Sequence, residues 1–474
     1  MAQKFYLDGQ WWESEEHIAV RNPYTDALID EVCCAERSLL ETIEEVNQKA
    51  FSATRELPSW KRSQVLQNIA SGIAARKEEF ALGIVAESGK PLRFAKGEVE
   101  RAVLTFTLAA EEARRLDGES IPLDLNRASE GRFGVTRRFP IGPVIGITPF
   151  NFPLNLVAHK IGPAIAAGNP ITLKPSSQTP LTALRLAEVI AEAGVLPGQV
   201  NVVPMRAALA ENLVQSPIFR ILSFTGSDAV GWRLKGLNPK KHVTLELGGN
   251  AALVIDRDVD LENVIPRAIV GAFAYAGQVC ISIQRIIVHQ DLYDRFVAEF
   301  ASQAETAEIG DPQNEKVLIG PMIDVAAADR VERWIAEARD AGAKIIAGGQ
   351  QEGKLIRPTV IVDVVPAMKV YAAEAFAPLV TIEPFRSWPE AIEKANRSRF
   401  GLQAGVFSNH YEHILYAYRQ LDVGAVIAND FPTYRVDNMP YGGVKDSGFG
   451  REGLKYAVRE MTESRLLVLN SLGF

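Results

Sequence analysis

The 474-residue sequence predicts an α/β protein built from two open parallel-sheet domains and a small β arm. Three observations carry this prediction. Short β-branched runs alternate with longer helical patterns through most of the chain, the arrangement that places helices over a parallel sheet. The length exceeds what one hydrophobic core holds, and 47% hydrophobic residues supply enough apolar surface for two. Two stretches, 121–140 and the terminal RLLVLN, depart from the alternation and read as exposed strands.

VIGITPF at 144–150, ITLKPS at 171–176, VNVVP at 200–204, ILSFTGS at 221–227 and VTLELGG at 243–249 are the strands of the first series, and AALVID at 251–256 opens the second. Between them, 181–193 is rich in Leu and Ala and stops at Gly194, as a helix does. Val331, Trp334, Ile335 and Ala338 follow i, i+3, i+4, i+7 spacing before Gly342 and a strand, KIIAGG. The division falls near Gly248 and Gly249. The expected organisation is one domain over 1–120 and 141–247, a second over 248–443, a returning segment at 444–460, and an arm from 121–140 and 461–474. Exposed strands in the arm need partners, which predicts a homodimer or homotetramer.

A formal charge of −7 excludes the concentrated basic surface that nucleic-acid binding requires. The N-terminus lacks the apolar run of a signal peptide, and no segment reaches the roughly 20 apolar residues of a membrane span. A soluble, cytoplasmic chain is expected. Cys33, Cys34 and Cys280 are too few for a disulfide framework, and no His and Cys spacing predicts a metal site.

The turn FTGS at 224–227 lets backbone approach a diphosphate at a helix N-terminus through Gly226 and Ser227, although the three-glycine dinucleotide fingerprint is absent. More specific is a set of separated segments in fixed order: PFNFP at 149–153, LELGGN at 245–250, GQVCISIQR at 277–285, EAFAPL at 374–379 and PYGGVKDSGFGRE at 440–452. Together they resemble the aldehyde dehydrogenase superfamily over nearly the whole chain. The resemblance implies that the first domain is a Rossmann-like cofactor domain and the second the catalytic domain.

It also implies roles. Cys280 is expected as the nucleophile, with nearby dipoles and a base helping to form thiolate. Asn151 is expected to donate to the oxyanion, Glu246 to activate water against the thioester, and Lys160 to relay protons. Relatives that transfer the acyl group to coenzyme A lack the Glu246 carboxylate, so its presence favours hydrolysis over a coenzyme A-acylating reaction. Retention of Cys280, Asn151 and Glu246 together argues against a non-catalytic binding or structural protein on the same scaffold.

For the cofactor, NADP or NAD, Lys174 matches the lysine that contacts the adenosine ribose. Ser177 stands where NAD-preferring relatives often carry Glu, and a short hydroxyl accommodates a 2′-phosphate that a carboxylate repels. Glu374 and Phe376 match the segment that holds the nicotinamide ribose and ring, with Ala377 replacing the usual Gly. The segment IANDFPTYRVDNMPYGGVK resembles the subgroup containing lactaldehyde, succinate-semialdehyde, phosphonoacetaldehyde and non-phosphorylating glyceraldehyde-3-phosphate dehydrogenases. Arg101, Arg285 and Arg435 are the expected clamp for an anionic end group on a small aldehyde.

Overall fold

In the computed structural model, which describes residues 2–470, the first sheet has eight strands. Val200–Val202, Ile171–Lys174, Val144–Ile147, Ile221–Thr225 and His242–Glu246 lie side by side and parallel. All but one of their residues are buried or nearly so, because helices cover both faces and leave no room for polar alternation. The second sheet has seven strands in the order Lys344–Ala347, Thr359–Val362, Leu379–Phe385, Ile283–His289, Ala251–Ile255, Gln403–Phe407, Ala425–Ala428.

The sheets are parallel at their centres and antiparallel at three of their four edges, Ala425–Ala428 running parallel to its neighbour, where the sequence reading expected parallel strands throughout. The N-terminal hairpin Phe5–Leu7 and Gln10–Trp12 adds to one edge of the first sheet, and Gly448–Phe449 to the other. Lys344–Ala347 runs antiparallel to Thr359–Val362. Edge strands reach the sheet through hairpins or returning loops, which need no crossover helix.

Two helices follow the predicted periodicity: Leu181–Glu192, and Val325–Asp340, which buries Val331, Ile335 and Ala338. The chain passes from the first sheet to the second between Glu246 and Ala251. After the second sheet it returns, and Leu454, Val458 and Met461 join the core of the first. The irregular stretches do find strand partners, but within the chain. Arg132–Pro140 pairs antiparallel with Thr462–Asn470 over its whole length, and Ser120–Pro122 adds a third strand. Residues 471–474 of the expected arm lie outside the described residues. Among the described residues no helix is long and apolar enough to cross a membrane.

Candidate active site

A cavity of about 820 Å³ is lined from both α/β units, within the size range of small-molecule sites. Cys280 and Asn151, more than a hundred residues apart in the chain, face it together with Glu246.

Cys280 lies on the loop entering the strand Ile283–His289. Three consecutive residues before it, Tyr275, Ala276 and Gly277, have positive φ of 54°, 54° and 66°. Holding a non-glycine residue there costs on the order of 1 kcal/mol or more, and such strain concentrates where a functional side chain must be aimed. Tyr275 is anchored by its N–H to the Leu318 carbonyl and by its hydroxyl to the Ser88 carbonyl. The diglycine between the sheets is a matter of space. A side chain on Gly249 would run into the Cys280 carbonyl, and one on Gly248 into the Glu374 carboxylate.

Asn151 is 4% exposed and precedes the helix Asn155–Ala167. Its Nδ2 donates to the Gln278 carbonyl at 3.0 Å, which fixes the amide beside the loop that carries Cys280. Glu246 ends its strand and is 3% exposed, and neither carboxylate oxygen has a hydrogen-bond partner among the described residues. Burial, and then the neighbouring Glu452, push it well above the usual carboxylate range, while Arg435, Lys160 and Arg451 oppose the shift in part. A buried, unpaired carboxylate with a raised pKa suits a group that must accept a proton near neutral pH.

Lys160 is fully buried, donating to Ser223 and Thr225 at 3.1 and 2.8 Å, with Glu452 at 3.4 Å. Glu452, Arg435 and Asp437 were not singled out together by the sequence reading, yet they form one buried network. Asp437 accepts from Arg101 at 2.7 Å and faces His159 Nε2 at 2.7 Å, and Arg435 pairs with Glu452 at 3.1 Å. The hydrogen bond with His159, and then the pairing with Arg101, hold Asp437 far below the usual carboxylate range despite its burial. The glutamate ending PYGGVKDSGFGRE was the available signal for Glu452; Asp437 carried none, since its partners are hundreds of positions away.

The thiol departs from expectation. Burial pushes Cys280 up to about 11; a hydrogen bond with Tyr441 and the Arg435 charge oppose this, whereas Glu374 and Glu246 add to it. The surroundings of the resting site favour the protonated form.

Gly226, Ser227, Glu374 and Phe376 line the same cavity, Phe376 edge-on to Phe150 at 5.8 Å. Glu374 accepts from the Gly249 N–H at 2.8 Å, and burial pushes it up to about 7. Lys174 and Ser177 sit beyond the cavity, at the end of a strand two places from Ile221–Thr225. The Lys174 ammonium is nearly buried and donates to the Pro175 carbonyl at 3.0 Å, with no carboxylate paired to it among the described residues. A buried cation without a counter-ion fits a dinucleotide's sugar or phosphate.

Of the three arginines, Arg101 and Arg435 line the cavity. Arg285 corrects the sequence reading: it is 2% exposed, does not line the cavity, and donates to Asn250 and to the carbonyls of Lys394 and Ala395. It lies within the strand Ile283–His289, whose side chains are covered on both faces, so nearness to Cys280 in sequence does not bring it to the substrate.

The aldehyde dehydrogenase family model matches residues 11–467. The chain is 43% identical to 3-sulfolactaldehyde dehydrogenase of Priestia megaterium, over 98% of this chain and 97% of that protein. Aldehyde dehydrogenase 21 of Physcomitrella patens, solved with its reaction product succinate, superposes with a TM-score of 0.97 at 39% identity, covering 100% and 99% of the two chains. NADP-dependent glyceraldehyde-3-phosphate dehydrogenase of Bacillus halodurans, solved with NADP, gives 0.96 at 32% identity over 99% and 100%. With the match spanning both sheets and the cavity between them, the chain belongs to the aldehyde dehydrogenase family.

Proposed function

We propose that this NAD(P)-dependent aldehyde dehydrogenase oxidises a short aldehyde with an anionic end group to the carboxylic acid. The observation that carries this reading is the presence of Arg101 and Arg435 on the wall of the cavity that holds Cys280. Relatives named for sulfolactaldehyde and glyceraldehyde 3-phosphate, and one solved with succinate, act on or release anions.

Cys280 Sγ attacks the carbonyl carbon, and the oxygen takes the charge as a hemithioacetal forms. Asn151 Nδ2 turns from the Gln278 carbonyl to that oxygen; one such donor lowers a barrier by about 2.7–4 kcal/mol. Loss of hydride from the adduct leaves a thioester on Cys280, and a nicotinamide held by Glu374 and Phe376 would supply the acceptor. Glu246 takes a proton from water, which adds to the thioester carbonyl and releases acid and free Cys280. Lys160 and Glu452 pass the proton on from the buried carboxylate.

A panel of short aldehydes with and without a carboxylate, sulfonate or phosphate tests the substrate class. Anionic members are expected to have the higher kcat/KM, and Arg435→Ala to remove about tenfold or more of that advantage. Equal kcat/KM for neutral and anionic aldehydes, unchanged by Arg435→Ala, defeats the reading.

The cofactor is held by Lys174 and Ser177 at the adenosine end and by Gly226, Ser227, Glu374 and Phe376 at the other. Ser177 leaves room for a 2′-phosphate beside Lys174, so NADP is accepted and preferred. Ser177→Glu is expected to raise KM for NADP about tenfold or more while moving KM for NAD much less, measured by initial rates at 340 nm. The first unit serves as cofactor domain and the second as catalytic domain. Leu466, Leu467, Val468 and Leu469 are exposed on the arm, which supports assembly into a dimer or tetramer.

A further inference from the structure

The Cys280 thiol is not free in the cavity. Its Sγ lies 2.9 Å from the hydroxyl of Tyr441, a residue 161 positions later that no sequence motif assigned a role. Tyr441 is 3% exposed and its backbone is clamped both ways to Glu452, N–H to carbonyl at 3.1 Å and carbonyl from N–H at 2.7 Å. One ring face carries the Arg435 guanidinium, 3.6 Å from the centroid. Arg435 is itself fixed by Glu452. The hydroxyl is therefore held where it is by the backbone and by the stacked cation.

Chemistry decides the direction of the bond. The charged and titratable groups facing Cys280 are Tyr441, Arg435, Glu374 and Glu246; the two carboxylates oppose a thiolate and Arg435 favours it. Burial, with Cys280 and Glu246 beside it, keeps the Tyr441 phenol protonated far into the alkaline range. A thiolate has no proton to give. Whenever Cys280 is ionised, Tyr441 is the donor, and a cation over its ring draws electron density away and makes the O–H a stronger hydrogen-bond donor.

We propose that Tyr441 donates the hydrogen bond that stabilises the Cys280 thiolate and holds its sulfur in place for attack. This rests on Cys280 being the nucleophile and adds a group that the cycle above does not use. The same hydroxyl loses its partner when the sulfur becomes acylated, so its contribution is confined to the free enzyme and to thiolate release.

Tyr441→Phe keeps the ring under Arg435 and deletes one oxygen. The readout is the rate of Cys280 carboxamidomethylation by iodoacetamide between pH 7 and 10 in the full-length enzyme, followed on the Cys280 peptide by mass spectrometry. Throughout this range, which lies below the thiol's midpoint, labelling is expected to slow about tenfold. A merely structural role would lower Tm and leave that profile in place. Placing 3-fluorotyrosine at position 441, a stronger donor, should move the profile the other way. An unmoved profile in either variant, or a shift of opposite sign, overturns the proposal. Cys280→Ser separates the two levels: full dehydrogenase activity there refutes the nucleophile itself, whereas an inactive Cys280→Ser with an unmoved Tyr441→Phe profile refutes only the role of Tyr441.

Discussion

Cys280→Ser is expected to reduce kcat with any aldehyde by about four orders of magnitude or more, with Tm and cofactor binding near those of the parent enzyme. One sulfur-to-oxygen exchange preserves the shape of the site and the donor at Tyr441. It removes a nucleophile whose ionisation, though disfavoured here, is accessible, and substitutes a hydroxyl far harder to ionise. With burial pushing the thiol up to about 11, the resting site holds Cys280 mainly as thiol near neutral pH. The parent's activity should therefore rise through the neutral and alkaline range. Steady-state rates, thermal melting and cofactor titration of the two proteins check the expectation; activity within a factor of ten would mean that the sulfur does not carry the reaction.

Much of the architecture was legible because both sheets are covered by helices on each side. Burial on two faces forces continuous runs such as VIGI at 144–147 and AALVI at 251–255, and these stand out from polar helix faces. Cys280, Asn151 and Glu246 stood out for another reason: each sits at a strand end or turn with a local signature, and the cavity brings the three together. Edge strands were not legible. KIIA at 344–347 reads the same parallel or antiparallel, since direction is set by the path of the connection rather than by the residues.

Charge pairing was the least legible property. Arg101 and Arg435 look alike in sequence to Arg285, and only tertiary pairing separates them. Asp437 ties Arg101 to His159, and Glu452 holds Arg435 on the cavity wall over the Tyr441 ring, whereas Arg285 spends its donors on Asn250 and two carbonyls. An arginine's length lets it reach in any of several directions, and spacing along a strand does not choose between them.

Glu246→Gln is expected to separate the two halves of the cycle. Acylation should survive, because the Glu246 charge raises the thiol and its removal leaves thiolate formation unhindered. Hydrolysis should slow by about 10²–10⁴-fold, the usual contribution of a positioned general base. Rapid mixing should then show a burst of reduced cofactor close to one per site, followed by slow turnover; loss of the burst would place Glu246 before the thioester rather than after it. In the parent, the carboxylate must be ionised to accept a proton from water, so the hydrolytic step rises with pH through its raised pKa and flattens above it. Stability moves oppositely. Because the folded-state pKa lies above the unfolded one, the parent is favoured below the unfolded value, near pH 4.3, and loses that contribution as pH rises through the folded value. Glutamine carries no charge to desolvate. Glu246→Gln should therefore melt higher than the parent at pH 8, and the difference should shrink as pH falls toward 5. A variant slow in turnover, intact in its burst and more stable at alkaline pH would tie one buried, unpaired carboxylate to both the chemistry and its cost in stability.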